Sequence, residues 1–188
     1  MNAGGGARKG SAAERLAARE ISAWWYKGKP GADDFLWRNA AQQQRGRKAR
    51  PHEHTGDVMP VASRVLPYPF DLHVEVKYHA AGKLQLARLL VGAKPTHPVI
   101  KFWRKARDEC RSDLTVMLFL KENSLPPLCI VSLAFVIARL PQLMVGGEQW
   151  PIFRMAVDDV QIVATPWSVL RTITVTHTRE ESRVRKNV

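Results

Sequence analysis

The stretch "FDLHVEVKYH", residues 70–79, alternates apolar or aromatic side chains with polar ones at every position. An alternation of period two over this length predicts a β-strand with one face on a hydrophobic core. The opposite face then carries two acids, two imidazoles and a lysine in a single row, namely Asp71, His73, Glu75, Lys77 and His79. Such a row is either an ordinary solvent-facing surface or the edge of a metal-dependent catalytic site.

The composition favours a polyanionic partner. The chain has 188 residues, 45% of them hydrophobic, which suffices for one domain with a core. Lysine and arginine number 29 against 17 acids, so the formal net charge is +12. This excess points to nucleic acid first and to an anionic membrane surface second. No stretch approaches the roughly 20 apolar residues that span a bilayer, and residues 1–15 lack the apolar run that is typical of a secretory signal. We therefore expect a cytoplasmic protein without a membrane segment.

The order of predicted elements places helices on a sheet. Residues 1–10 are glycine-rich and basic and predict a flexible tail. Ser11 and Glu14 have the spacing of a capping box, which predicts a helix over 11–25. The other predicted elements are strands over 34–40, 56–63 and 70–79, a short helix over 82–92, a helix over 97–110, and buried strands over 114–120 and 127–137. This order predicts a mixed α/β fold. Residues 138–188 form a C-terminal extension, for which we expect two or three short strands and a charged, mobile end.

Four residues in two predicted strands could perform chemistry together. Glu75 and Lys77 lie on one face of their strand, about 7 Å apart. Asp57 begins the preceding strand. Two carboxylates from adjacent strands and a main-chain carbonyl, such as that of Val76, form an oxygen cage suited to Mg²⁺. A lysine beside the cage can orient a water or help to deprotonate it, and can steady charge on a phosphate. These are the parts that metal-dependent hydrolysis of a phosphodiester requires.

The pattern resembles the PD-(D/E)xK nuclease superfamily, whose core is a helix, three strands, a helix and a strand. Within that superfamily it is most similar to archaeal-type Holliday junction resolvases and related phage-encoded nucleases. The stretches "RKGSAAER", "FLWRNAAQ" and "PVIKFWRKARDECRSDLTVMLFLKE" carry the rest of the likeness, which covers roughly residues 8–135. The resemblance implies a restriction-endonuclease-like core over 11–137, with a mixed sheet flanked by helices.

The resemblance also implies roles for particular residues. Asp57, Glu75 and the carbonyl of Val76 would bind Mg²⁺, for which Mn²⁺ can substitute. Lys77 would be the catalytic lysine and Glu14 an accessory acid. The implied activity is that of a Mg²⁺-dependent endodeoxyribonuclease, which leaves 5′-phosphate and 3′-hydroxyl ends. Its expected substrates are Holliday junctions or other branched DNA of recombination and repair, in a bacterium or a phage-infected host cell. Two opposed cuts suit a homodimer, and no small-molecule cofactor is expected.

Basic residues on three segments are candidate DNA contacts, because lysine and arginine track the phosphate backbone. They lie in the tail, in the loop before Asp57 and on the helix over 97–110. The candidates are Arg8, Lys9, Arg45, Arg47, Lys48, Arg50, Arg104 and Lys105.

Several alternatives stay open. Asp71 could replace Asp57 as the second metal carboxylate, and the capping box alone could explain Glu14. The Pro-Asp of the family is Gly56-Asp57 here, and residues 39–42 offer no hydroxyl where the resolvases have a serine. For function, the alternatives are a restriction- or repair-type nuclease on duplex DNA, a non-catalytic DNA-binding protein, and a basic virion or scaffold protein.

Overall fold

In a computed structural model, the described residues of the protein are 4–39, 56–61, 65–85, 96–123, 125–145 and 153–177. The elements in chain order are α1 (Gly4–Trp25), a 3-10 helix (Ala32–Asp34), β1 (Leu36–Arg38), β2 (Val58–Pro60), β3 (Leu72–His79), α2 (Pro98–Glu109), β4 (Thr115–Glu122), β5 (Leu128–Ser132), α3 (Leu133–Arg139), α4 (Gln142–Val145), β6 (Phe153–Val157), β7 (Val160–Pro166) and α5 (Trp167–Leu170). Among these helices none is long and apolar enough to cross a bilayer.

A mixed five-stranded sheet in the order β3-β4-β5-β7-β6 forms the centre of the fold. Strands β3 and β4 are parallel and α2 lies between them in the chain, whereas the other pairs are antiparallel. Strands β1 and β2 form a separate antiparallel pair beside β3. The predicted α/β class, with a mixed sheet flanked by helices, is confirmed.

Helices cover both faces of β3. The sequence also allowed the polar face of this strand to be an ordinary solvent-facing surface, and the structure differs from that interpretation. The even-numbered residues from Leu72 to Val76 pack in a core with α1, α3 and α5. On the other face, Val99 and Trp103 of α2 pack against the apolar residues of β4. The polar row therefore begins inside the protein: His73 is 0% exposed and Glu75 is 4% exposed.

Helix α1 begins at Gly4, seven residues before the predicted start at Ser11. The capping-box interpretation is therefore wrong, and residues 4–10, predicted as a flexible tail, are helical. Extending an existing helix costs less than nucleating one, because each added residue contributes a hydrogen bond. Ser11 instead accepts hydrogen bonds of 2.8 Å from Arg15 and from Arg38.

The predicted strand over 127–137 ends at Ser132, and helix α3 follows. The side chain of Ser132 caps this helix by accepting a hydrogen bond of 3.1 Å from the backbone N–H of Phe135. A serine at this position satisfies an N–H that the helix leaves without an internal partner. Because Phe135 and Val136 both face the core, the apolar run fits a short helix as well as a strand.

The C-terminal extension completes the sheet. Strands β6 and β7 form a hairpin, and β7 pairs with β5, so strands predicted after residue 138 are confirmed. Most of the helix predicted over 82–92 and the charged end over 179–188 lie outside the described residues.

Candidate active site

Close approach of the backbone brings Asp57 to strand β3. The N–H of Asp57 donates a hydrogen bond of 2.7 Å to the carbonyl of Val74. A Cβ added at Gly56 would lie 2.6 Å from that carbonyl oxygen and 2.8 Å from the nitrogen of Val74. Asn39 holds the same turn from the other side, through its N–H to the carbonyl of Asp57 (2.7 Å) and its side-chain amide to the carbonyl of Gly56 (3.1 Å). The glycine is therefore required where the resembled family has proline.

The carboxylate of Asp57 is fixed to the open edge of β3. Its Oδ2 accepts a hydrogen bond of 2.7 Å from the backbone N–H of Val76. In a strand, the N–H and C=O of one residue point toward the same edge. The carbonyl of Val76 consequently faces the edge where Asp57 lies. This is the orientation that it would need in order to bind a metal together with Asp57.

Glu75 and Lys77 form an ion pair on the face of β3 that α2 covers. The side chain of Glu75 is almost fully buried, whereas that of Lys77 is 21% exposed. The ammonium group of Lys77 also lies 5.6 Å from the ring centroid of Phe102 in α2. The lysine thus reaches from a buried carboxylate toward solvent.

Asp57 interacts electrostatically with the other candidate side chains. Burial, and after it the negative charge of Glu75, raises the pKa of Asp57 from 3.8 to about 6. The hydrogen bond from Val76 and the charge of Lys77 oppose this rise, while the charge of Glu14 adds to it. Asp57 therefore interacts electrostatically with each of the other three predicted catalytic side chains. A local excess of negative charge is a setting that favours binding of a cation.

Glu14 is held in place by Arg38, a residue that the sequence did not single out. Its Oε2 lies 3.4 Å from the guanidinium of Arg38 on β1, and both side chains are largely buried. The same guanidinium donates to the hydroxyl of Ser11. Only its position in the sequence could have indicated Arg38 as a site residue, because it ends β1, the strand that leads toward the candidate site.

The described residues contain no group of three or more His, Cys, Asp or Glu side chains that could hold a metal ion. The candidate metal ligands predicted from the sequence are two carboxylates and a main-chain carbonyl. This set fits Mg²⁺, which binds few protein ligands, prefers oxygen and keeps several waters.

Asp71, the alternative carboxylate, is engaged elsewhere. Its Oδ2 lies 2.6 Å from the guanidinium of Arg139 on α3. Asp57, by contrast, contacts β3 directly and interacts with Glu75. The geometry therefore favours Asp57 over Asp71 as the partner of Glu75.

The two histidines of the polar row, His73 and His79, are covered by other parts of the protein. His73 is completely buried, and burial lowers its pKa below the usual 6.5. His79 stacks on Phe102 of α2, with ring centroids 5.8 Å apart. Both are covered because α2 packs over this face of β3.

The basic face of α2 serves partly to hold the C-terminal hairpin. Arg104 makes two hydrogen bonds, of 3.0 and 2.6 Å, with Asp158 in the turn between β6 and β7. Lys105 pairs with Glu109 at 3.5 Å. The loop candidates Arg45, Arg47, Lys48 and Arg50 lie outside the described residues, as do the side chains of Arg8 and Lys9.

Fold and site together define an α/β protein with a partly buried pair of an acid and a lysine, Glu75 and Lys77, on the edge strand of its main sheet, beside Asp57. Comparison of the chain with protein-family models, with curated protein sequences and with solved structures gives no match.

Proposed function

We propose that the protein is a Mg²⁺-dependent endonuclease that hydrolyses DNA phosphodiesters, with Asp57, Glu75 and Lys77 as its catalytic residues. The observation that carries the proposal is the convergence of Asp57 and Glu75 beside the exposed end of Lys77. Two acids and a lysine at one strand edge are the residue types that this reaction needs. If Glu75 and Lys77 formed only a surface ion pair, the interaction of Glu75 with a second acid, Asp57, would be unexplained.

Each group has a chemical task in the proposal. Asp57, Glu75 and the carbonyl of Val76 would hold Mg²⁺, which supplies an activated water and neutralises charge on the phosphate. Lys77, already fixed by Glu75, would hold the attacking water in line with the phosphorus and donate a hydrogen bond to the phosphate. Glu14 would act through Asp57 as an accessory acid, held in position by Arg38.

The order of elements supports the resemblance to PD-(D/E)xK nucleases. Helix α1, strands β1, β2 and β3, helix α2 and strand β4 follow one another as in the core of that superfamily. Asp57 immediately precedes the second strand and Glu75 lies within the third, which also supports the resemblance. We therefore propose a restriction-endonuclease-like core to which the C-terminal hairpin adds two strands.

The proposed substrate is branched DNA, such as a four-way junction, cut by a homodimer with one site in each protomer. The net charge of +12 supports a nucleic-acid substrate. A duplex-cutting nuclease is the second candidate, because the chain lacks a hydroxyl among residues 39–42.

The test compares fluorescently labelled four-way junction, flap and plain duplex, each incubated with Mg²⁺, Mn²⁺ or EDTA. We expect cleavage of the branched substrates in either metal, none in EDTA, and product ends that carry 5′-phosphate. Equal cutting of plain duplex would support the second candidate. Binding without cleavage in either metal would contradict the nuclease proposal and identify a DNA-binding protein.

A further inference from the structure

Trp37 presents an aromatic surface on the face of the β1–β2 pair that points away from α1. It lies in the middle of β1 and is 54% exposed, which is unusual for the largest side chain of the twenty. Its neighbours Leu36 and Arg38 both point toward α1: Leu36 packs in the core that contains α1, and Arg38 contacts Ser11. Because side chains alternate along a strand, Trp37 points away from α1.

Glu75 and Lys77 also point away from α1. The residues between and beside them, Val74 and Val76, pack in the core with α1, so the acid and the lysine project from the opposite face. Helix α2 covers that face over β3 and β4. Trp37, two strands away from β3, keeps about half of its surface accessible.

A second apolar side chain widens this surface. Met59 of β2 is directly opposite Trp37 in the antiparallel pair, so the two side chains lie together on one face. Met59 is two residues beyond Asp57, which places Trp37 about 7 Å along the strands and about 5 Å across from the candidate metal ligand. We call Trp37 and Met59 the aromatic platform.

We propose that the aromatic platform stacks an unpaired base of the DNA, one or two nucleotides from the phosphate at Asp57. This inference rests on the proposed function for the identity of the ligand as DNA. Bases stack on aromatic side chains regardless of sequence, because every base has a π-face. A base held inside a duplex has both faces covered by its neighbours and cannot use the platform. The preferred substrate is therefore DNA with unpaired nucleotides beside the cut, such as a flap or an opened junction.

Charge favours nucleic acid over a second protein copy as the occupant. Four basic residues, Arg45, Arg47, Lys48 and Arg50, follow β1 within about a dozen positions of Trp37, and the whole chain carries a charge of +12. Single-strand binding sites combine an exposed aromatic side chain with positive charge on the protein.

The test is a binding measurement in EDTA, where no cleavage is expected. Fluorescence anisotropy compares a flap, the same flap with abasic sugars in its unpaired part, and a plain duplex. The abasic flap keeps every phosphate and loses only the bases. We expect wild-type protein to bind the intact flap about 5- to 150-fold more tightly than the abasic one, which is the range that stacking of a single base gives.

Variants separate stacking from folding. Trp37→Ala should abolish the preference for the intact flap and leave duplex affinity unchanged, whereas Trp37→Phe should keep most of the preference. Ile137→Ala is the matched control, since Ile137 is 59% exposed but lies on α3, which packs on the α1 face. It should behave as wild type.

Three results would overturn the platform proposal. These are equal binding of intact and abasic flaps by wild-type protein, an equal loss of flap and duplex binding in Trp37→Ala, or a dimer that becomes monomeric in Trp37→Ala while its DNA binding is unchanged. The last result would identify the platform as an interface between copies. Because binding is measured without metal, a preference for the intact flap would stand even if the protein cut no DNA.

Discussion

The backbone N–H of Val76 donates a hydrogen bond of 2.7 Å to Oδ2 of Asp57. Together with the hydrogen bond from the N–H of Asp57 to the carbonyl of Val74, this contact holds Asp57 against the strand that carries Glu75 and Lys77. It also aligns the carbonyl of Val76 with the same edge, because the N–H and C=O of a strand residue point the same way. The geometry of the candidate site depends on this attachment.

Replacement of Gly56 by alanine should displace Asp57. The new Cβ would lie within 3 Å of two backbone atoms of Val74, so the start of β2 must move away from β3. Overpacking of this kind costs about 1–3 kcal/mol of unfolding free energy. We expect urea denaturation to report that loss and DNA cleavage to fall with it. Gly10→Ala is the control, because its Cβ meets only a side-chain atom at 4.0 Å; its stability should be unchanged or raised.

The metal-free protein should be destabilised by ionisation of Asp57. The pKa of Asp57 is about 6 in the folded protein against an ordinary value of 3.8, so the folded state binds the proton more tightly. Stability conferred by Asp57 should therefore be lost as pH rises from about 4 to 6, by at most about 3 kcal/mol. An asparagine at this position does not ionise, so it causes no such loss of stability.

Urea unfolding in EDTA across pH 4–8 measures this effect. The Asp57→Asn variant should gain stability relative to wild type through that window and remain ahead at pH 8. Mg²⁺ should then stabilise wild type at pH 8 and leave Asp57→Asn unaffected. If the difference in unfolding free energy between the two proteins stayed constant with pH, burial would not raise the pKa of Asp57 in the folded protein.

Neutralisation of Glu14 should weaken the metal site without abolishing catalysis. Glu14 adds negative charge near Asp57 but is paired with Arg38, so its effect on the metal is indirect. For Glu14→Gln we expect about a tenfold higher Mg²⁺ requirement and a rate close to wild type at saturating Mg²⁺. Initial rates over a Mg²⁺ titration measure both quantities. A lower saturating rate at an unchanged Mg²⁺ midpoint would instead indicate that Glu14 contacts the reacting groups.

The parts of the fold with a clear period could be predicted from the sequence. The alternation over 70–79 gave β3, and the three- and four-residue spacing over 97–110 gave α2, because each pattern records which side faces a core. The prediction of a single strand over 127–137 is wrong, because a helix begins at Leu133. An unbroken apolar run has no period to distinguish strand from helix, and only the cap at Ser132 divides it.

The candidate site was predictable where its residues share one strand and not where distant segments meet. Glu75 and Lys77 follow from the alternation alone. The burial of His73 depends on α2 packing over β3, and the pairing of Glu14 with Arg38 joins residues 24 positions apart. A single sequence contains no signal for such contacts, because they are set by how helices and strands pack.

The most direct test of the account is the initial rate of Mg²⁺-dependent cleavage of a labelled branched DNA by wild type and by Glu75→Gln, purified in parallel. The substitution keeps the size of the side chain and removes the charge that would bind the metal. Asp33→Asn is the control, because Asp33 is an exposed acid paired with Arg19. We predict a loss of at least about 100-fold in Glu75→Gln, with DNA binding retained, and wild-type cleavage by the control. Wild-type cleavage by Glu75→Gln would contradict the account, since the activity would then not arise at this site.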